Sequence, residues 1–413
     1  MKVILNHYLW KKMNSNLKNR IFGNELKYVQ EVLQTEFRSS SGSLMMRRLE
    51  EAFGGRFGMK YPISFVNGTA TMHAALEAMG VGPGDEVIVP PLTMSATSFA
   101  VLQANATPVF ADVDLKTFQI DPESVRKCVT SRTRAIITVA LYGLSPDMDP
   151  IMDIAREFNL KVIEDNAECF LGMYKDRIVG SLSDCSSFSF QSSKHLTSGE
   201  GGIILTNDLD LAEGIRKVQS LGYAGVSATK GKIAKRDIQD PGYFRHVSMG
   251  WNYRMPELCC AVALAQVENI DALVQRRIDV ADIFTEATQE FHSWFIPQYV
   301  GEEYVNSYWT WVCRLENEGL TWHALRDRFL DNGGHGVYGA WQLTYLEPMF
   351  KNMTLLGREK FISRENVEKY KVGCCPVAEH LQPRIMQFKT NYWDISQAHQ
   401  QAEILSKTLR EFT

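Results

Sequence analysis

The chain has 413 residues, of which 45% are hydrophobic and 22% charged, and its formal net charge is -4. These are ordinary globular values, and the length predicts two or three domains. The small negative charge argues against a general nucleic-acid binder and a polybasic membrane surface. No apolar run approaches the length of a membrane span, and the N-terminal stretch lacks a signal-peptide cleavage site. We therefore expect a cytoplasmic protein.

The eight cysteines include two adjacent pairs, Cys259 with Cys260 and Cys374 with Cys375, and none follows the Cys-x-x-Cys pattern. Adjacent thiols cannot chelate zinc as spaced ligands do. Free, buried thiols in a reducing compartment are expected, rather than a disulfide framework or a metal site.

The first half of the chain alternates between helical and strand patterns. Residues 1 to about 40 form a polar N-terminal arm with a helix over 23–37, and 45–57 follows as an amphipathic helix. Short apolar strands alternate with helices after that, at 63–66, 86–90, 108–113, 135–141 and 161–164. The run over 135–141 is typical of a parallel strand buried on both faces. The alternation predicts an α/β layer sandwich.

The first of these strands runs into Asn67, Gly68 and Thr69 and then into a helix. Such a turn can bind an anion, because the first backbone N–H groups of a helix are unpaired and the helix dipole favours negative charge. The residues fit a phosphate cradle and a simply capped helix, with Thr69 near the cap, equally well. His73, on this helix, is expected in the core or a groove rather than as a ligand.

Acidic residues follow the strand over 161–164, namely Glu164, Asp165 and Glu168. Open α/β sheets bind ligands at the carboxyl ends of their strands. A carboxylate there can ligate a metal, cap a helix or pair with a protonated ring nitrogen. The metal ranks lowest, because no second Asp or His lies at metal-ligand spacing.

Lys194 lies between an apolar strand and a glycine-rich turn. Phe188 and Phe190 alternate with polar residues before it, as in a half-buried strand, and a second apolar strand over 203–205 follows the turn. A partly desolvated lysine supplies the free amine that condenses with an aldehyde. By itself the pattern also fits a solvated surface lysine.

A glycine-rich, basic segment over 222–250 comes next. Its basic residues, with Arg254 just beyond it, are candidates to bind a phosphorylated or nucleotide-linked substrate, and the ones we single out are Lys232, Arg236 and His246. A solvated surface loop is the alternative. A long helix over 257–280 then leads into a second domain, with a strand over 308–315 and helices over 322–331, 376–386 and 399–412. We place the domains at 1–275 and 276–413.

Eight motifs lie in order along nearly the whole chain: NGTATMHAAL at Asn67, GPGDEVIVPP at Gly82, PVFADVD at Pro108, LYG at Leu141, EDNAE at Glu164, SFSFQSSKHLTSGEGG at Ser187, GWNYRMPEL at Gly250 and CPVAEHLQPRIMQF at Cys375. Together they resemble the DegT/DnrJ/StrS-type sugar aminotransferases, a branch of the fold-type I pyridoxal-phosphate enzymes. The resemblance implies a three-layer α/β/α large domain with a mostly parallel seven-stranded sheet, and a smaller α+β C-terminal domain. It also implies transfer of an amino group from glutamate or glutamine to a keto-sugar or cyclitol.

The resemblance assigns roles to individual residues. Lys194 would hold pyridoxal 5'-phosphate as a Schiff base and move the proton during transamination. Asp165 would pair with the pyridine nitrogen. The phosphate would be held by Gly68, Thr69 and Ser189.

A further residue implies a partner subunit. In this family the residue at Asn252 usually reaches the phosphate from the neighbouring subunit, so the resemblance implies a homodimer with shared active sites.

The chain departs from the family pattern at three positions. Met94 lies where an aromatic residue commonly stacks on the cofactor ring, and a thioether can still pack there. Glu168 takes the place of a common glutamine near the phenolic oxygen of the cofactor, so we expect it to be protonated or turned towards another donor. Ala140 replaces a histidine before LYG.

Three alternatives remain at the level of sequence. A dehydratase on the same scaffold has histidine at the lysine position, and His195 is one residue away, although the step from Lys194 to Glu200 fits the aminotransferases. A non-catalytic regulatory relative is expected to lose Lys194 or Asp165, and both are present. A nicotinamide-dependent oxidoreductase needs a Gly-x-Gly-x-x-Gly turn after an early strand, which is missing.

Overall fold

The computed structural model describes residues 19–38, 44–352 and 364–413. The strands are β1 Tyr61–Phe65, β2 Glu86–Val89, β3 Thr107–Phe110, β4 Thr133–Val139, β5 Lys161–Asp165, β6 Met173–Tyr174, β7 Arg177–Ile178, β8 Cys185–Ser189, β9 Gly202–Thr206, β10 Phe295–Pro297, β11 Tyr304–Val305, β12 Thr310–Leu315, β13 Tyr338–Gly339 and β14 Ile385–Lys389. The helices are α1 Asn24–Gln34, α2 Met45–Phe57, α3 Gly68–Ala78, α4 Ala96–Gln103, α5 Pro122–Cys128, α6 Met148–Phe158, α7 Leu209–Gln219, α8 Lys235–Gln239, α9 Glu257–Val267, α10 Ile270–Thr288, α11 Trp322–Asp331, α12 Pro348–Asn352, α13 Arg364–Lys369, α14 Pro376–Leu381 and α15 Ile395–Arg410. Across these described ranges, no helix is long and apolar enough to cross a membrane.

The large sheet has seven strands in the order β1-β9-β8-β5-β4-β2-β3. β9 pairs antiparallel with β1 and β8, and the neighbours from β8 to β3 pair in parallel. Alternate residues of β9 face opposite sides, because Ile204 packs into one hydrophobic cluster and Ile203 and Leu205 into another. Helices cover both faces, so the predicted three-layer fold with a mostly parallel seven-stranded sheet is confirmed.

β8 differs from its prediction as a half-buried strand, since all five of its residues are buried. Its serine hydroxyls are satisfied inside the protein: Ser186 donates to the Gly180 carbonyl at 2.7 Å, and the oxygens of Ser187 and Thr71 are 2.5 Å apart. The strand can therefore be buried on both faces despite its alternating serines.

The smaller sheet has the order β10-β12-β14-β13, and its pairs are antiparallel. The sequence wrongly predicts a helix over 376–386. The helix α14 ends at Leu381, just before Pro383, and the chain continues as β14. Met386 and Phe388 then share one face of β14 and pack into the core of the small domain.

The predicted helix over 257–280 is two helices, α9 and α10. Between them, the side-chain amide of Asn269 donates to the Ala265 carbonyl at 2.9 Å and so competes with the helical backbone bonds. The predicted domain boundary at residue 275 lies inside α10. The first part of this helix packs with the large domain through Leu273 and Val274, and Phe284 packs with the small one.

All eight cysteines are free, and five of them are buried as the sequence predicts, whereas Cys128, Cys259 and Cys374 are half-buried.

Candidate active site

A cleft of about 1050 Å³ opens where the carboxyl end of β5, the start of α3 and the turn after β8 meet the small domain. Seven of the predicted site residues line it together: Gly68, Thr69, Met94, Asp165, Glu168, Ser189 and Lys194. The position agrees with the general rule that α/β sheets bind ligands at the carboxyl ends of their strands.

The start of α3 forms one end of the cleft. Asn67, not Thr69, is the N-cap, because its side-chain oxygen accepts from the Ala70 amide at 2.8 Å. β9 lies close against this turn, and a Cβ at Gly202 would meet the Gly68 nitrogen at 2.8 Å. The helix is therefore capped by Asn67, and its first turn also lines the cleft through Gly68 and Thr69.

Asp165 ends β5 and is 4% exposed. One carboxylate oxygen accepts from the Thr97 hydroxyl at 2.9 Å and the other from the Ala167 amide at 3.2 Å. Burial raises the pKa of this carboxyl, and the two hydrogen bonds and the charge of Lys194 oppose that shift. Asp165 forms no ion pair with another described residue, so its charge is available to a cation in the cleft.

The Lys194 side chain is 13% exposed, and its Nζ lies 3.1 Å from Glu168 Oε1. The same ammonium lies 4.4 Å from the ring centroid of Trp309. The second oxygen of Glu168 accepts from the Tyr142 amide at 3.1 Å. Of the two expectations for Glu168, the structure therefore shows the carboxylate turned towards other donors.

His195 lies away from the cleft. It is fully buried, its Nε2 lies 2.9 Å from the Ser307 carbonyl oxygen, and its ring packs 5.4 Å from that of Phe170. Because the carbonyl oxygen can only accept, Nε2 carries the proton. Burial and the nearby Arg277 lower the pKa of His195 well below its usual value. Lys194, and not His195, therefore presents its side chain to the cleft.

The sequence profile of the DegT/DnrJ/EryC1/StrS aminotransferase family matches residues 19–387. This chain belongs to that family. It is 39% identical over 304 residues to a GDP-perosamine synthase of Caulobacter vibrioides, which covers 73% of this chain and 77% of the relative. It is 37% identical over 303 residues to the L-glutamine:2-deoxy-scyllo-inosose aminotransferase of Streptomyces lividus, covering 71% and 69%. The solved aminotransferase from Psychrobacter cryohalolentis superposes with a TM-score of 0.83 at 27% identity, covering 95% and 98%.

The cleft of this aminotransferase suits pyridoxal 5'-phosphate. The first turn of α3 offers backbone N–H groups and a positive dipole end to a phosphate. Asp165 is a buried carboxylate with no cationic partner among the described residues, as a protonated ring nitrogen requires. Lys194 supplies an amine on the same cleft. In the described ranges, no group of His, Cys, Asp or Glu residues could hold a metal ion.

Two arginines that the sequence analysis missed hold the turn that carries Lys194. Arg20 donates to three carbonyls within 192–195 at 2.9 Å, and Arg277 donates to two within the same segment at 3.1 Å. Burial lowers the pKa of Arg20 to about 10 and that of Arg277 to about 9. The sequence does indicate that Arg277 is buried, because this arginine falls on the apolar face of α10, at helical spacing from Leu273 and Val280.

Met94 lies in the cleft, and His73 lies in the core as the sequence predicts. Met94 lines the cleft and is 50% exposed, and its sulfur accepts from the Ala96 amide at 3.0 Å. His73 is buried, with its ring nitrogens 3.0 Å from the Tyr253 hydroxyl and 3.2 Å from a Glu77 oxygen. It is a core residue of α3.

The basic candidates for substrate binding do not line the cleft of their own chain. Lys232 pairs with Glu257 at 3.1 Å, and Arg236 pairs with its neighbour Asp237 at 3.2 Å. The other candidates are also bound locally, since His246 Nδ1 lies 2.7 Å from the Leu221 carbonyl and Arg254 lies 5.8 Å from the Tyr223 ring centroid. Asn252 is exposed and likewise lies outside this cleft.

Proposed function

We propose that this protein is a pyridoxal-phosphate-dependent aminotransferase that transfers an amino group from glutamate or glutamine to a keto-sugar or cyclitol in amino-sugar biosynthesis. The observation that carries the proposal is Lys194, whose amine lines the same cleft as the buried carboxylate of Asp165 and the first turn of α3. The relatives support the substrate class, because one is a GDP-perosamine synthase and another acts on a scyllo-inosose with L-glutamine.

Lys194 performs two tasks in this proposal. Bound pyridoxal phosphate supplies an aldehyde that condenses with amines and a ring that accepts an electron pair. Lys194 Nζ attaches the cofactor and, once released, accepts and returns the proton of the substrate carbon as general base and acid. Glu168, 3.1 Å away, holds the amine on the cleft side of the turn.

Asp165 and the first turn of α3 fix the ends of the cofactor. Asp165 would keep the ring nitrogen protonated, because an adjacent carboxylate favours the positively charged form of the nitrogen. The charged nitrogen in turn favours the ionised form of Asp165, which burial disfavours. Gly68, Thr69 and Ser189 would bind the phosphate. A Cβ at Gly68 would lie 3.1 Å from the Cβ of Ser189, so glycine allows the turn and the strand to approach closely.

We further infer a cytoplasmic homodimer in which Asn252 reaches the phosphate of the partner subunit. Asn252 is exposed and does not line its own cleft, as this arrangement requires. The free thiols support a reducing compartment. The basic residues of 222–250 and Arg254 remain candidates for substrate binding across the same interface.

Covalent labelling tests the assignment of Lys194. Protein reconstituted with pyridoxal phosphate should absorb visible light, and borohydride should fix the cofactor to the peptide that contains Lys194. Lys194→Ala should lose this label. Lys389, the other lysine that lines the cleft, should stay unlabelled and serves as an internal control. If borohydride fixes no cofactor at Lys194 in the wild type, the proposal fails.

Half-reactions identify the substrates. The cofactor is first aminated with glutamate or with glutamine, and the aminated enzyme is then mixed with free, phosphorylated and nucleotide-linked keto-sugars and with keto-cyclitols. Return of the original absorbance marks an accepted ketone. Conversion of the donor to its 2-oxo acid, with the amino group retained on the cofactor and no ketone of the panel consumed, would contradict the sugar assignment.

A further inference from the structure

One side of the cleft is formed by the small domain, through residues from β12, β13 and β14 and the segment after β13. Trp309, Trp341 and Lys389 line it. The site residues predicted from the sequence all come from the large domain, so this side has no assigned role. It begins beside the reactive amine, because Lys194 Nζ lies 4.4 Å from the ring centroid of Trp309.

Two tryptophans give this side a fixed aromatic surface. The indole N–H of Trp309 donates to the Ser193 carbonyl at 2.9 Å, which fixes the ring against the turn that carries Lys194. Trp341 stacks on Trp309 with ring centroids 6.0 Å apart and planes 26° apart. Both rings are partly exposed. A partly exposed indole ring in a cleft can pack against the C–H face of a saturated ring. Because the indoles are already held in place, the substrate can bury apolar surface there without a rearrangement of the site.

Lys389 adds a positive charge to this surface. It is the last residue of β14, it is partly buried, and its side chain forms no hydrogen bond or ion pair with any described residue. The other cations of the cleft are engaged, since Lys194 pairs with Glu168 and Arg277 donates to backbone carbonyls. Lys389 is therefore the cleft cation that is free, within the described ranges, to bind an anion.

We propose that Trp341 and Lys389 form the acceptor subsite, in which the indole packs on the sugar or cyclitol ring and the ammonium binds a phosphate group attached to it. The proposal rests on the function proposed above and adds the substrate class, a phosphate-bearing acceptor. A phosphate monoester and a nucleoside diphosphate present the same phosphate oxygens to Lys389. The carboxylate of the amino donor is a different anion, and it should not depend on this lysine.

Binding of three probes to the cofactor-loaded enzyme tests the subsite: GDP, glucose 1-phosphate and glucose. Lys389→Met should weaken the two phosphate-bearing probes about ten-fold or more, the loss expected for one charge-assisted hydrogen bond, and should leave glucose and the KM of the amino donor unchanged. Lys407→Met, which removes a lysine of α15 outside the cleft, is the matched control and should change nothing. Tighter binding of GDP than of glucose 1-phosphate to the wild type would indicate a diphosphate, and the reverse order a monoester.

Substitution of the tryptophan separates stacking from charge. Trp341→Ala should weaken glucose and glucose 1-phosphate by a similar factor, and Trp341→Phe should restore most of the affinity because it keeps an aromatic face. The subsite is refuted if neither phosphate probe binds the wild type at millimolar concentration, if Lys389→Met leaves both unchanged, or if it raises the KM of the donor instead. Cofactor labelling at Lys194 is measured independently, so an enzyme that is labelled and fails these tests refutes the subsite alone.

Discussion

The Asp165 carboxylate accepts two hydrogen bonds from the described residues. The one from the Thr97 hydroxyl, at 2.9 Å, can be removed without changing the shape of the Thr97 side chain. Thr97→Val should weaken pyridoxal phosphate binding about five-fold, the effect of roughly 1 kcal/mol for one hydrogen bond. Thr97→Ser keeps the hydroxyl and should bind as the wild type does. Titration of the cofactor by absorbance or fluorescence measures the change.

The same substitution should also move the pH dependence of cofactor binding. The Thr97 hydrogen bond lowers the pKa of Asp165, which burial has raised, so its loss raises that pKa further. Only the ionised carboxylate pairs with the ring nitrogen. Affinity should therefore fall as the pH falls through the pKa of Asp165, and in Thr97→Val this fall should begin at a higher pH. A uniform loss at every pH would contradict this role.

At the residue scale, the sequence predicts the cleft residues that lie within short motifs. Lys194 and Ser189 are five residues apart, and Asp165 ends a strand, so their proximity follows from local patterns and parallel pairing. Arg20 and Trp341 reach the same cleft region from distant segments. Nothing in their local sequence indicates these contacts, because they depend on how segments far apart in the chain pack together.

At the element scale, the close approach of β9 to the first turn of α3 offers a test of phosphate binding at that turn. A Cβ at Gly202 would lie 2.6 Å from the carbonyl carbon of Asn67, which is too close for any side chain. Gly202→Ala should cost about 1–3 kcal/mol of unfolding free energy, as overpacking does. It should also weaken cofactor binding, because the displaced turn is the proposed phosphate site.

A second glycine provides the control for this prediction. A Cβ at Gly55, inside α2, meets no atom within 4 Å. Gly55→Ala should therefore leave cofactor binding unchanged and stabilise the protein by up to about 1 kcal/mol through helix propensity. Urea denaturation with parallel cofactor titration measures both effects. Wild-type cofactor affinity in Gly202→Ala would argue against phosphate binding at this turn.

Helix and strand patterns predict most elements of the large domain closely. The bounds of α2, in the large domain, and of α11, in the small domain, are those predicted from periodicity. The errors occur where a local pattern has two solutions. The predicted helix over 376–386 continues past the end of α14 into the first two residues of β14, where pairing with β12 selects the strand. The break between α9 and α10 depends on the Asn269 side chain, which hydrophobic periodicity does not register.

At the scale of the whole molecule, the proposed dimer predicts complementation between two inactive variants. Lys194→Ala removes the amine from its own cleft, and Asn252→Ala would remove a phosphate contact from the cleft of the partner. A heterodimer of the two then has one site with both defects and one with neither. Random exchange of subunits in an equal mixture should make half of the dimers heterodimers, so about a quarter of the wild-type activity should return.

The mixing experiment tests whether Asn252 acts across the subunit interface. The Lys194→Ala and Asn252→Ala proteins are purified apart, mixed under conditions that allow subunit exchange, and assayed with any ketone accepted by the wild type. As a control, Lys194→Ala is mixed with Asp165→Asn, and each of these substitutions disables the cleft of its own subunit. Both clefts of their heterodimer are therefore defective, and this mixture should recover nothing. If Asn252 served its own subunit, the first mixture would also stay inactive, because each site of the heterodimer would carry one defect. Recovery in the first mixture alone therefore requires a site built from two chains.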